Sequence, residues 1–332
     1  MKYDVFGIGN ALVDMEFKVK DNFFSDNKIE KSLMTLVEEE RQMQLVDELH
    51  RLSAGEVKRQ CGGSAANTII AVSQFGGKSF YSFKVANDET GHFYLKDITD
   101  NGVDTKNTLG SLPEGNTGKC LVMVSDDAER TMNTYLGITA SFDKEQLDEQ
   151  SLKNSKWLYV EGYLVASPTG HEAALEAVRI AKQNNVKTAL TLSDPSMVKF
   201  FKDNMIQIVG NGVDLIFCNE MEAMDFTGTN DLYDAREKLK DLAKTFVITL
   251  GKNGAIIWDG TMFIDIEPHQ VKAVDTNGAG DMYAGAFLYG ITNGMTYAGA
   301  GALASLASSK IVEKYGPRVD WTTAKDILKE LK

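Results

Sequence analysis

A recurring pattern of segments constrains this chain more than any single residue. Short apolar runs of strand character recur: YDVFGIG (3–9), SFYSFKV (79–85), KWLYVEGYL (156–164), KTALTLS (187–193), VDLIFCN (213–219), TFVITLG (245–251) and GAIIWDG (254–260). Between several of them lie stretches with helical spacing, SAANTIIAVSQFG (64–76), GHEAALEAVRIAKQNN (170–185) and DLYDAREKLKDLAK (231–244). Parallel neighbours need a crossover connection, usually a helix, so the alternation predicts βαβ units and a mostly parallel sheet covered on both faces. Helices near 278–293, 296–313 and 322–331 close the chain.

Two stretches break the pattern. MEFKVKDNFF opens residues 15–40 with alternation, and TGKCLVMVSDDAERTMNTYL (117–136) reads as two alternating strands around Asp126-Asp127. Hairpin material cannot readily join a parallel sheet, so a small β-sheet lid is expected, inserted at about 15–40 and 105–136 of a single α/β core spanning 1–332.

The net charge of −12 argues against a nucleic-acid or acidic-membrane partner, which would need a basic face. Cys61, Cys120 and Cys218 show no metal-ligand spacing, which fits reduced thiols. MKYDVFGIGNALVDM is interrupted by Asp4 and Asp14 and lacks a secretory pattern, and no run of 18 apolar residues is present. A cytoplasmic protein is expected. The four histidines are scattered, and none is assigned to catalysis.

Three glycine clusters invite comparison with nucleotide motifs. GIGNAL (7–12) has Leu12 where a dinucleotide fingerprint needs its third glycine. SQFGGKS (73–79) has Val72 where a phosphate loop needs glycine, and it ends a helical pattern instead of starting one. DTNGAGD (275–281) differs from both. It follows the β-like run HQVKAV and opens a helix whose Ala284, Gly285 and Ala286 allow close packing. Free amides at a helix start make an anion site, and Gly278, Ala279 and Gly280 remove side chains that would block it. Asp281 lies in the first turn beside that site. An acid next to an oxyanion hole suits phosphoryl transfer to an alcohol. The plain alternative is a helix capped by Asp275 or Asn277, with Asp281 answering the dipole.

DTNGAGDMYAGAF (275–287) resembles the C-terminal signature of the ribokinase/PfkB carbohydrate kinases. CGGSAANT (61–68), Asn219-Glu220-Met221-Glu222 and TLGKNGA (249–255) match that family's other signatures in order. GNALVD (9–14) and ERTMNTYLG (129–137) look nearest its adenosine-kinase-like branch. The resemblance implies a three-layer ribokinase-like core with a β lid and an ATP-dependent kinase acting on a hydroxymethyl group of a nucleoside or sugar. It implies ATP and Mg2+ as cofactors and a monovalent cation such as K+ near Asp275. Asp281 matches the catalytic base, with Gly278, Ala279 and Gly280 as the anion hole. Asn10, Asp14, Gly62, Gly63 and Asn67 match the acceptor-binding residues. Arg130, Asn219, Thr249 and Gly251 match the ATP side, and Glu222 a metal contact through water.

The residues themselves are compatible with these roles. A carboxylate at Asp14, taken as the end of the first strand, can accept two sugar hydroxyls beyond a strand's carboxyl end. Asn67 is a poor helix former one turn into its helix, which favours a polar task. Mg2+ keeps waters and uses few carboxylates, which suits Asn219 and Glu222. Arg130 could instead pair with acids of its own turn. Phe17, Phe23 and Tyr163 could stack a base or pack in the core. A free-sugar kinase and a non-catalytic sugar- or nucleoside-binding protein remain alternatives, as monomer or lid-mediated dimer.

Overall fold

The computed structural model describes residues 1–52, 57–127 and 129–331. The chain opens with β1 (Tyr3–Ile8), β2 (Leu12–Lys18), α1 (Asp21–Asp26), β3 (Met34–Leu36), α2 (Glu39–Leu52) and β4 (Lys58–Gly62). It continues through α3 (Ser64–Gln74), β5 (Ser79–Ser82), α4 (Glu89–Asp100), β6 (Val103–Asp104), β7 (Thr117–Val124) and β8 (Arg130–Gly137). Next come α5 (Glu149–Lys153), β9 (Ser155–Val160), α6 (Pro168–Gln183), β10 (Lys187–Thr191) and α7 (Pro195–Val209). They lead to β11 (Val213–Asn219), α8 (Glu220–Thr227), α9 (Leu232–Leu239), β12 (Ala243–Thr249), β13 (Ala255–Trp258) and β14 (Phe263–Ile266). The chain finishes with α10 (Ala279–Thr292), α11 (Tyr297–Val312) and α12 (Trp321–Glu330).

The strands that are apolar on both faces form one large sheet, in the order β14-β13-β12-β11-β10-β9-β1-β5-β6. It is parallel from β6 to β12, and β13 and β14 add an antiparallel edge. Alternation along each strand sorts side chains into two cores: Val247 faces one, and Phe246 and Ile248 the other. Helices α3, α4, α10, α11 and α12 cover the first core, and α6 to α9 the second. The result is the three-layer α/β architecture expected from the alternation.

Five strands form a second, smaller sheet in the order β3-β8-β7-β2-β4. Its strands fall at 12–18, 34–36, 58–62, 117–124 and 130–137. The reading of about 15–40 and 105–136 therefore missed β4, whose sequence KRQCG carries no apolar alternation. No strand of this sheet lies in 105–116 among the described residues.

Two other expectations change. HQVKAV (269–274) is irregular, because the Val274 and Asp275 N–H groups donate to the Val312 carbonyl instead of to a strand. The helix read at 231–244 ends at Leu239, because Ala243 already pairs with Val213.

One packing detail matters for the site. A Cβ at Gly285 would lie 2.5 Å from the Thr68 carbonyl oxygen and 2.6 Å from Ala71 Cβ. The small residues of α10 thus let α3 approach closely and bring the first turns of the two helices together.

Candidate active site

β1 carries the chain into the seam between the two sheets, and Asn10 lies in the short link to β2. Asp14 does not end the first strand; it lies within β2, opposite Gln60 of β4. A Cβ at Gly62 would meet Asp14 Oδ1 at 2.3 Å, so glycine there leaves room for the carboxylate. Gly63 has φ +95° and would meet the Asn10 carbonyl at 2.3 Å, so it is held to glycine by both conformation and space. Two pairs of residues distant in sequence, Asn10 with Asp14 and Gly62 with Gly63, thereby converge.

Asp281 lies in the first turn of α10. The N-cap is Gly278 at φ +74°, and no side chain caps the helix, contrary to the capping alternative for Asp275 or Asn277. Instead, Asp275 is buried and accepts the Asn277 N–H at 2.9 Å and the Gly316 N–H at 2.9 Å, and it pairs with Arg130. Those partners occupy the carboxylate expected to lie near a monovalent cation. At Gly278 a Cβ would meet Pro317 at 2.3 Å, whereas one at Gly280 would meet nothing within 4 Å. The open space expected of an anion site is thus at Gly280.

The Asp281 carboxylate is held from α3. Ser64 Oγ donates to Oδ1 at 2.6 Å and Asn67 Nδ2 to Oδ2 at 3.0 Å. Burial pushes the Asp281 carboxyl up to about 6, against the pull of those hydrogen bonds and of the Arg318 charge. Asn67, expected to bind a substrate hydroxyl, here spends its amide N–H on the acid. Burial also pushes Asp14 up to about 7; Arg318 and Arg130 oppose the shift, while Asp281 and Glu16 add to it.

Two charged residues of this site were not foreseen. Glu161, directly after β9, is fully buried; its carboxylate accepts the Asn10 N–H at 2.7 Å and the Ala65 N–H at 2.9 Å. Burial raises it to about 7 despite those bonds. An acid directly after an apolar parallel strand was the available signal. Arg318, in the irregular segment after α11, donates to Asn67 Oδ1 at 3.1 Å and Asp97 Oδ2 at 3.0 Å, with Cys61 Sγ 2.9 Å from Nη2. Nothing in its local sequence marks it.

Arg130, the first residue of β8, reaches across to Asp275, with Glu16 Oε2 at 3.7 Å. Two acids of its own turn go elsewhere: Asp127 pairs with Lys31, and Glu129 accepts from Ser32; Ala128 lies outside the described residues. Arg130 borders a gap of about 10 Å³ with Asp14, Glu16, Gln60 and Asn277.

Past Gly280 opens a cleft of about 300 Å³ lined by Thr249, Gly251, Gly280, Tyr283, Ser305 and Ser308, among others. Gly251 has φ +57° with open space where its Cβ would be. The Tyr283 hydroxyl is buried without a hydrogen-bond partner among the described residues. An orphan donor and a loop without side-chain bulk suit a polar, phosphate-bearing ligand. Asn219 stands opposite Thr249 in register. Asn219 and Glu222 form a reciprocal cap at the start of α8, and burial raises the Glu222 carboxyl to about 7. The cap satisfies both residues, and neither lines the cleft. Among the described residues no cluster of three or more acids, histidines or cysteines could hold a metal. Phe17 and Phe23 are buried in the core, and Tyr163, the third aromatic considered for stacking, is half-buried and packs against the second core.

A family model for pfkB family carbohydrate kinases matches residues 29–324. The chain belongs to that family. Among solved structures, this pfkB kinase is similar to an adenosine kinase from Sinorhizobium meliloti, at 34% identity and TM-score 0.89 over 98% of this chain and 99% of that one. It is equally similar to a probable sugar kinase from Rhizobium etli, at 33% identity and TM-score 0.89 over 100% and 99%. A curated relative, the 5-dehydro-2-deoxygluconokinase of Clostridium beijerinckii, is 27% identical over 283 residues, covering 81% of this chain and 83% of its own. The protein is a phosphotransferase with an alcohol acceptor, a sugar or nucleoside kinase. As a pfkB kinase it takes ATP as co-substrate. No helix among the described residues is long and apolar enough to cross a membrane.

Proposed function

We propose that this pfkB kinase transfers the γ-phosphate of ATP to the hydroxymethyl group of a nucleoside such as adenosine, with Asp281 as the base. The observation that carries the catalytic part is the Asp281 carboxylate, held by Ser64 and Asn67 at the head of a helix with no side-chain cap and open space at Gly280. A carboxyl near 6 is ionised at neutral pH and still basic enough to take an alcohol proton. The acceptor oxygen forms a bond to the γ-phosphorus, the bond to the bridging oxygen breaks, ADP leaves and the proton passes to Asp281. The first-turn amides of α10 meet the charge on the transferring group.

ATP occupies the 300 Å³ cleft, with its phosphates toward Gly280 and the Thr249–Gly251 loop. Among the described residues no acidic cluster forms a carboxylate cage, so Mg2+ would be held chiefly by the nucleotide phosphates, where it would supply charge neutralisation. Glu222, whose carboxylate oxygens each accept one hydrogen bond from Asn219, would contact it through water. Asp14 and Asn10 hold the acceptor's ring hydroxyls. The small sheet acts as the lid that keeps water out. Arg130, now paired with Asp275, is the lid cation within reach of the phosphate path.

A nucleoside is preferred on GNALVD (9–14) and ERTMNTYLG (129–137), which look nearest the adenosine-kinase-like branch, together with the likeness to the Sinorhizobium meliloti adenosine kinase. A free sugar or sugar acid is the second reading. It is favoured by the polar surround of the acceptor gap, where Glu16, Lys58 and Gln60 join Asp14. Side-by-side turnover of adenosine, inosine, ribose, fructose and 5-dehydro-2-deoxygluconate decides between them. A kcat/KM for any of the last three above that of both nucleosides rejects the nucleoside assignment.

A further inference from the structure

Arg318 lies outside every motif that identified the site, yet it is tied closely to the base. Its side chain is 9% exposed, and its three guanidinium nitrogens are engaged by Asn67, Asp97 and Cys61. An amide side chain can present either end to a neighbour. By donating to Asn67 Oδ1, Arg318 fixes which end faces Asp281 and leaves Nδ2 to donate to the carboxylate. The guanidinium is itself anchored by Asp97, which also accepts the Cys61 N–H at 2.7 Å, directly before the Gly62–Gly63 turn. Its neighbours in sequence reinforce the arrangement: Gly316 donates to Asp275, and Pro317 fills the space that a Cβ at Gly278 would need. Three consecutive residues thus contact the acid that Arg130 pairs with, the α10 N-cap and the amide beside the base.

We propose that Arg318 is a positioning residue of the phosphoryl-transfer site, setting the Asn67 amide so that it holds the Asp281 carboxylate in place. The inference rests on Asp281 being the base. Arg318 needs no contact with either substrate to act; it works through Asn67, and its charge also favours the ionised acid. A planar fork with three separate acceptors is a task that lysine cannot perform.

The test is a kinetic double-mutant cycle on the full chain, with the acceptor that turns over best in the screen above. Arg318→Met should lower kcat by about 10²-fold, the cost of a misplaced reacting group, with the KM for ATP unchanged. Asn67→Ala should lower it too, and the double variant should be no slower than the slower single, because both changes break one chain of contacts. Arg318→Met should also move the acid limb of the kcat/KM profile to higher pH. The groups facing Asp281 there are Ser64 and Asn67 of α3, Asp14 of β2, Tyr159 of β9, Glu161, Tyr163 and Arg318. Loss of Arg318 removes the cation that favours ionised Asp281. If Arg318→Met leaves Asp97 unpaired and the chain fails to fold, Arg318→Lys keeps the charge; it should restore the acid limb but not kcat. Additive losses in the cycle, a rise in ATP KM at constant kcat, or a lysine variant with wild-type kcat would each overturn the proposal. Asp281→Asn, assayed in parallel, separates the two readings: inactivity there beside an unaffected Arg318 series leaves the base in place and removes Arg318.

Discussion

Around Asp281 the site is dense with charge, from Asp14, Glu161, Arg130 and Arg318. Past Gly280, the cleft mixes glycine, serine and threonine groups with the apolar Pro268, Val271, Ala273, Ala279 and Val312, and Lys252 and His269 are among its lining. The proposed acceptor half is assembled from β2, β8, β9, α3, α10 and the 316–318 segment. The proposed nucleotide half comes mostly from consecutive stretches, 249–254, 268–283 and 305–312. The difference follows from what each half has to recognise. A triphosphate carries its own charge and metal, so bare backbone amides and space suffice. A neutral sugar hydroxyl has to be oriented and deprotonated, which takes fixed carboxylates. Fixing them in a buried seam raises the pKa of Asp14, Glu161 and Asp281 together.

If the halves divide the work in this way, damage to one should spare the other. The largest effect is expected from Asp281→Asn, which keeps shape and removes the base: kcat should fall about 10²–10⁴-fold with ATP affinity intact. Retention of wild-type kcat would remove Asp281 from the mechanism. Asp14→Ala should raise the acceptor KM by roughly 10–150-fold, the loss of about 1.5–3 kcal/mol from a charged hydrogen-bond partner, and leave the KM for ATP alone. Gly280→Val is the mirror case. The backbone there is not left-handed, so the side chain enters open space without strain; it should weaken ATP binding about tenfold or more at a nearly unchanged melting temperature.

The pH profile sharpens the contrast. Because Asp281 titrates near 6, kcat/KM should fall as pH drops through 6, whereas ATP affinity should not track that titration. Asp14, Glu161, Asp281 and Glu222 all have folded values above their unfolded ones, so the native state binds more protons between about 4 and 7. Their combined contribution to stability is fully present below about pH 4, is lost as pH rises and levels off above about 7. Glu222→Gln, the smallest effect, should keep the α8 cap, flatten part of that slope and leave turnover near the wild-type value. A collapse in kcat would instead give Glu222 a direct part in holding Mg2+.

How much of this the sequence revealed follows from the same division. The βαβ alternation, the DTNGAGD helix start and the Thr249–Gly251 loop were legible because each is a local pattern with a local cause. Asn10, Asp14, Gly62 and Gly63 were legible only as separate motifs; that Gly62 exists to clear the Asp14 carboxylate appears only once β2 pairs with β4. β4 itself was missed because KRQCG lies at the edge of a small sheet, where no apolar alternation is required. Arg130, read as a lid arginine on the ATP side, had the acids of its own turn as alternative partners, but Lys31 and Ser32 claim two of those acids, and the arginine crosses to Asp275. Arg318 and Glu161 were not singled out. Their roles depend on contacts 251 and 151 residues away, which no local spacing encodes.

The division of the site is tested most directly by calorimetric titration of ATP and of the preferred acceptor, each separately into Asp14→Ala and Gly280→Val. A crossed pattern is predicted. Asp14→Ala should lose acceptor affinity and keep ATP affinity, and Gly280→Val should do the reverse. Matched losses of both ligands in either folded variant would contradict the account, because the carboxylate half and the glycine half would then be one undivided surface.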